Sequence, residues 1–240
     1  MKTQNKSIFE YLVNLIYPIN IPILTDCQGF SFTKNLEELS VDNIWIASSL
    51  DSVAIKNTIL EIKEGGQYAL VEFLTQHFIK QIIDFGMITA SRKSFVDNES
   101  KAIFGMFASL FDANNKTLIS FVPPDIARQN KRGFHLPKIL ATQFAKKLNT
   151  IANGNKRFEI SEIFVKNKKT IRQTGLDKEH RLTNLNGKIE FLDYDLHSYQ
   201  SIFIIDDVCT TGATINECAL QVKVKFPNIK IYGLAIASNL

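Results

Sequence analysis

The stretch Ile202–Thr214, IFIIDDVCTTGAT, limits the possible folds more than any other part of the chain. An apolar run rich in β-branched residues leads into two adjacent carboxylates. A turn of threonines and glycine follows, and then a helix-compatible segment to about Phe226. A strand, a tight turn and a helix in that order form half of a βαβ unit, and Ile229–Ala237 supplies the next strand. Two more runs of strand character lie upstream, Thr117–Val122 and Phe158–Val165, separated by a helical pattern over Phe134–Leu148 with Pro137 in its first turn. Strands alternating with helices imply right-handed crossovers and a parallel sheet. The expected class is therefore α/β, a central parallel sheet flanked by helices.

The first half reads differently. Ser7–Ile16 has the spacing of a short amphipathic helix ended by Pro18, and Ile19–Ser40 is irregular with one short hairpin. Asn43–Ser48 is a strand. Asp51 is expected to cap a helix to about Lys63, stopped by Gly65-Gly66. Leu70, Leu74, Phe78 and Ile82 predict a second helix over Gln67–Phe85, followed by a loop from Gly86 and a third helix over Glu99–Phe111. These aromatics, and Trp45, are expected in the core. The boundary is placed near Asn114-Asn115, dividing a mainly helical extension, residues 1–114, from a ligand-binding domain, residues 115–240.

The 240 residues are 45% hydrophobic and 22% charged, the balance of a globular protein. No apolar run approaches the roughly 20 residues of a membrane span. Glu10 interrupts the early apolar segment, so neither a transmembrane protein nor a secretory leader is expected. Three cysteines, Cys27, Cys209 and Cys218, make no disulfide framework and have no zinc-ligand spacing, which points to a reducing cytoplasm. Charge is unevenly spread. Arg128–Glu190 holds 15 Lys and Arg against 5 Asp and Glu, while the remainder has 13 against 19. Such a basic segment either attracts polyanions or is a solvated face.

In an open parallel sheet, ligands bind beyond the carboxyl ends of the strands. Asp206, Asp207 and the turn Cys209–Thr214 are expected there. Backbone N–H groups of Thr210–Thr214 can converge on an anion at the positive end of the next helix. Gly212 allows a close approach. The hydroxyls of Thr210, Thr211 and Thr214 add donors. Ionised aspartates only accept, so Asp206 and Asp207 suit the hydroxyls of a ribose. A diol beside a phosphate suggests a ribose 5-phosphate. Cys209 is either a reactive thiol near a helix start or a small buried side chain. His135 and His180 either touch phosphate or lie on the surface. No Walker-type Gly-Lys-Ser/Thr is present.

Ile202–Thr214 resembles the PRPP-binding motif of type I phosphoribosyltransferases. With it, FVPPDIARQNKRGFHLPKILATQFAKKL (Phe121–Leu148) and KTIRQTGLDKEHRLTNLNGKIEF (Lys169–Phe191) recur in this order in ComF/GntX-like proteins, the competence-associated branch of that superfamily. The resemblance covers roughly residues 45–240. It implies the type I phosphoribosyltransferase fold and a 5-phosphoribosyl transfer from PRPP that releases pyrophosphate. Asp206 and Asp207 would be the catalytic pair, holding the ribose hydroxyls and Mg²⁺ directly or through water. Cys209, Thr210, Thr211, Gly212, Ala213 and Thr214 would hold the 5-phosphate. Pro124, Asp125, Arg128, Arg132, Gln173 and Arg181 would meet the pyrophosphate, and Asn184 holds another position typical of the family.

The chain also departs from that pattern. Family members commonly begin with a zinc ribbon, whereas this region offers only Cys27, so zinc is expected to be absent. Lys166 and Lys168 stand where many members carry arginines, and a lysine cannot make the bidentate phosphate fork. Thr210 replaces the acidic residue of enzymes that handle 6-oxopurines. The expected partner is a small phosphorylated ligand, PRPP, with no membrane involved. A second reading is a non-catalytic nucleotide sensor or a protein that handles single-stranded DNA and binds it weakly, or a partner of competence proteins, since a shared fold does not settle function.

Overall fold

Five parallel strands and one antiparallel edge strand form the central sheet. The structure, a computed structural model of the chain, describes residues 30–32, 40–67, 69–91, 115–151, 157–166 and 188–238. Its strands are β1 (Phe30–Phe32), β2 (Asn43–Ser49), β3 (Thr117–Phe121), β4 (Phe158–Ile160), β5 (Phe164–Lys166), β6 (Ile189–Phe191), β7 (Ser201–Cys209) and β8 (Lys230–Ser238). Its helices are α1 (Val53–Gly65), α2 (Ala69–Ser91), α3 (Ile126–Arg132), α4 (Leu136–Ile151) and α5 (Ala213–Lys223). The sheet order is β1-β2-β8-β7-β3-β4, and β5 pairs with β6 in a separate antiparallel ribbon. Among the described residues no helix is long and apolar enough to cross a membrane.

The central strands are apolar on both sides because both sides are covered. One core joins α1, α2 and α4 to Trp45, Phe121, Phe203, Ile205 and Leu234. Within it the ring of Phe78 lies 5.8 Å from Trp45 and 5.5 Å from Phe144. The other core joins α5 and the β5–β6 ribbon to Ile44, Ile46, Ile202, Ile204 and Ile231. Gly233 on β8 lets α5 lie close to the sheet: a Cβ there would come within 2.9 Å of Ile215 Cγ2.

Several expectations change. β2 comes from the segment before residue 114 and pairs in parallel with β8, so this segment supplies a strand to the same sheet. α2 continues through Gly86 to Ser91, where a loop was expected. Ser52, not Asp51, is the N-cap of α1, and it makes no side-chain cap bond. Asp51 donates its own N–H to Ser49 Oγ at 3.1 Å. The segment Phe158–Val165 is two short strands in different sheets. The apolar run that leads into the two carboxylates does not stop before them as a strand: β7 runs on through both to Cys209. The expected elements over Ser7–Ile16 and Glu99–Phe111 lie outside the described residues.

Candidate functional site

β3 and β7 are neighbours in register, with Phe121 opposite Ile205, and Val122 donates its N–H to Ile205 O at 3.0 Å. Beyond this point the chain diverges. From β3 it passes through α4, on one face, to β4 at the edge. From β7 it passes through α5, on the other face, to β8. Successive connections leaving in opposite directions open a crevice at the carboxyl ends of the two strands. A cavity of roughly 300 Å³ lies there, within the range of small-molecule sites.

One wall carries Asp206, Asp207 and Thr214. Side chains alternate along a strand. Ile204 belongs to the α5 core and Ile205 to the α4 core, so Asp206 follows the first and Asp207 the second. Two contacts agree. Burial, and after it the negative charge of Asp206, push the thiol of Cys218 on α5 up, and Asp207 Oδ2 pairs with Lys63 Nζ of α1 at 2.8 Å. Asp206 Oδ1 accepts the Asp207 N–H at 2.8 Å. Burial, and then the like charge of Asp207, push the Asp206 carboxyl up to about 7, against smaller opposing effects from the Asp207 N–H and then from Lys63 and Lys166.

The turn after β7 is shaped by Gly212, whose φ of 73° and ψ of −4° lie in the left-handed region that glycine enters without a Cβ clash. α5 begins there with no side-chain cap bond and no acidic residue in its first turn. Its first N–H groups are the unsatisfied donors at which anions bind. Ala213 N reaches Thr211 Oγ1 only at 3.4 Å. Of the turn residues, Thr214 lines the cavity; Cys209, Thr210, Thr211, Gly212 and Ala213 do not. Cys209 is buried, and burial followed by the charge of Asp206 pushes its thiol up to about 12, so of its two readings the buried side chain holds.

The facing wall comes from the β3–α4 connection. Pro123 lines the cavity, and Pro124 does not. The expected pyrophosphate loop is in fact a one-loop, one-helix unit: Asp125 caps α3 by accepting Arg128 N–H at 3.1 Å. That bond holds the Asp125 carboxyl below the usual carboxylate range. Gly133, at φ 76°, ends α3. Asp125, Arg128 and Arg132 all line the cavity, as do Phe134 and His135. The His135 ring meets the edge of Phe121 at 5.6 Å, and its Nδ1 is buried with no hydrogen-bond partner. Burial holds its pKa down at about 4, so the ring is neutral near pH 7.

The structure thus brings Asp206, Asp207, Thr214, Asp125, Arg128 and Arg132 to one cavity. Gln173, Arg181 and Asn184 lie outside the described residues, as do His180, Lys168 and Cys27. Sequence reasoning missed Lys63, which no motif marks; it also left Lys166 in doubt, although Lys166 lines the cavity. His135 was weighed as a surface residue and forms part of the wall.

No family model matches the chain. Among curated proteins, Competence protein F of Haemophilus influenzae is 32% identical over 112 residues. The match covers 46% of this chain and 46% of that protein, so the chain spans less than half the length of the relative it matches. Across the matched part the chain is similar to that competence protein.

Proposed function

We propose that the protein binds PRPP with Mg²⁺ in this cavity and transfers the 5-phosphoribosyl group to an acceptor. One observation carries the reading. At the carboxyl ends of β3 and β7, Asp206, Asp207 with its partner Lys63, and Thr214 of the first turn of α5 share one cavity with Arg128, Arg132 and Lys166. Few ligands other than a phosphorylated sugar ask for both halves. Asp206 and Asp207 accept from the ribose hydroxyls, and the first turn of α5 with Thr214 takes the 5-phosphate. Arg128, Arg132 and Lys166 stabilise the pyrophosphate as negative charge develops on it.

The donor set suits Mg²⁺. Among the described residues no three His, Cys, Asp or Glu side chains form a metal cage. Mg²⁺ is usually held by one or two carboxylates together with substrate phosphates and water, and Asp206 and Asp207 supply such a pair. When bound, the ion would help neutralise the leaving pyrophosphate. In the transfer, the bond from C1 to the pyrophosphate oxygen breaks and the pyrophosphate leaves with the electron pair. A lone pair of the acceptor bonds to C1 from the opposite face, and the acceptor gives up its proton. After the name of the relative, we place this activity in a process connected with competence, in the cytoplasm.

Calorimetric titration with PRPP and Mg²⁺ tests the reading. The wild type should bind, and the pair Asp206→Asn with Asp207→Asn should lose affinity by about a hundredfold, the scale of lost charged acceptors, read on folded protein below its melting temperature, which falls because Lys63 loses its partner. Pyrophosphate release on addition of a suitable acceptor would establish transfer. Unchanged affinity in the double variant would refute the ribose assignment.

A further inference from the structure

We infer that Lys63 selects for a second anionic group on the ligand, placed next to its vicinal diol. This rests on the cavity being a sugar-phosphate site. Lys63 Nζ lies 2.8 Å from Asp207 Oδ2, with the two side chains only 17% and 14% exposed. A ligand hydroxyl that takes Asp207 Oδ2 competes directly with this ammonium. Lysine is a compact charge on a flexible stem, so it can move aside. It then needs a new partner, because an ammonium removed from water and left unpaired is strongly unfavourable.

The other carboxylates of the cavity wall have duties of their own in the complex: Asp125 Oδ1 caps α3, and Asp206 accepts the Asp207 N–H and, in the proposed complex, a ribose hydroxyl. The replacement anion is then the ligand's own. A sugar with a diol and a single distant phosphate leaves Lys63 stranded. A sugar with a pyrophosphate beside the diol pairs with it as it leaves Asp207. Arg128, Arg132 and Lys166 also line the cavity, but it is Lys63 that makes an ion pair to Asp207, the diol's own acceptor. It thus ties recognition of the hydroxyls to recognition of the neighbouring anion.

The test compares PRPP with ribose 5-phosphate by calorimetry in the wild type, Lys63→Met, Lys63→Gln and Lys63→Arg. The wild type should prefer PRPP. Lys63→Met and Lys63→Gln should each shrink that preference about ten- to a hundredfold, the scale of one charge-assisted hydrogen bond. The loss should fall on PRPP, while ribose 5-phosphate holds or tightens. Lys63→Arg, which keeps the charge, should retain most of the preference. Equal weakening of both ligands, or an unchanged ratio, would overturn the selector role and leave the cavity reading standing. A wild type that binds neither ligand would overturn both.

Discussion

Replacing Gly233 with alanine should disturb the stability of the fold and the candidate site together. Gly233 sits in the middle of β8, opposite Ile44 of β2 and Ile204 of β7. An added Cβ would lie 2.9 Å from Ile215 Cγ2, 3.2 Å from Ile215 Cδ1 and 3.0 Å from Ile44 Cγ1. Both neighbours are fully buried isoleucines, stiff at χ1, so neither can simply rotate away. Overpacking of this kind costs about 1–3 kcal/mol, while the lost freedom of the unfolded chain returns about 0.4–1 kcal/mol. The net expectation is a loss of about 1–2 kcal/mol, or about 2–8 °C in melting temperature for a chain of this size. Ile215 is the third residue of α5 and follows Thr214 of the cavity wall, so relief of the clash moves the helix start. PRPP affinity should fall more than the stability loss alone accounts for. Urea denaturation of Gly233→Ala, Ile215→Ala and the double variant reads the coupling. Ile215→Ala should cost less in the alanine background than in the wild type. Strict additivity, or a Gly233→Ala protein as stable as the wild type, would refute the close-approach argument.

Two further outcomes follow from the local structure. Asp125→Ala removes the cap of α3 and should cost about 1 kcal/mol in urea denaturation, with a drop in PRPP affinity as Arg128 loses its anchor. His135 should make the protein acid-sensitive. Its ring is neutral in the fold down to about pH 4, whereas the unfolded chain takes up a proton below about 6.5, so stability falls as pH drops across that window. Asp206 titrates in the opposite sense, so the readout is the difference between wild type and His135→Asn, on the order of 1–2 kcal/mol by pH 4 once partial exposure is allowed for. Parallel pH profiles for the two proteins would contradict the neutral-ring assignment.

What could be read in advance follows from interaction range. The runs TLISF and SIFII announce buried strands because every residue in them is apolar or small, and Thr117 and Ser201 bury their hydroxyls against each other at 3.0 Å. The βα turn was legible because glycine, threonine and paired aspartates are local signals. α3 was not. At seven residues it is too short to show a helical period, and only Asp125 and Gly133 mark its ends. The break between β4 and β5 has no glycine or proline at Ser161–Ile163 to announce it. Gly86 suggested a stop, yet α2 runs through it, since one glycine costs a helix only about 1 kcal/mol. Lys63 was beyond reach because its partner lies on a distant strand. Only the sheet order, with α1 covering the Asp207 side of β7, brings the two together.

The division of the aspartate pair between the two faces of β7 has a mechanical consequence. Asp207 reports to the layer built from α1, α2 and α4, and Asp206 to the layer built from α5 and the β5–β6 ribbon. A ligand gripping both carboxylates acts as a stitch across the end of the sheet, joining two cores that lie on its opposite faces. Its binding energy then opposes the separation of the layers, so α1 and α5 should slow together in hydrogen exchange although they lie on opposite faces. The two carboxylates are also not interchangeable. Each is anchored in a different half of the molecule, and a substitution at one leaves a vacancy that the other, held to its own face, has no path to fill.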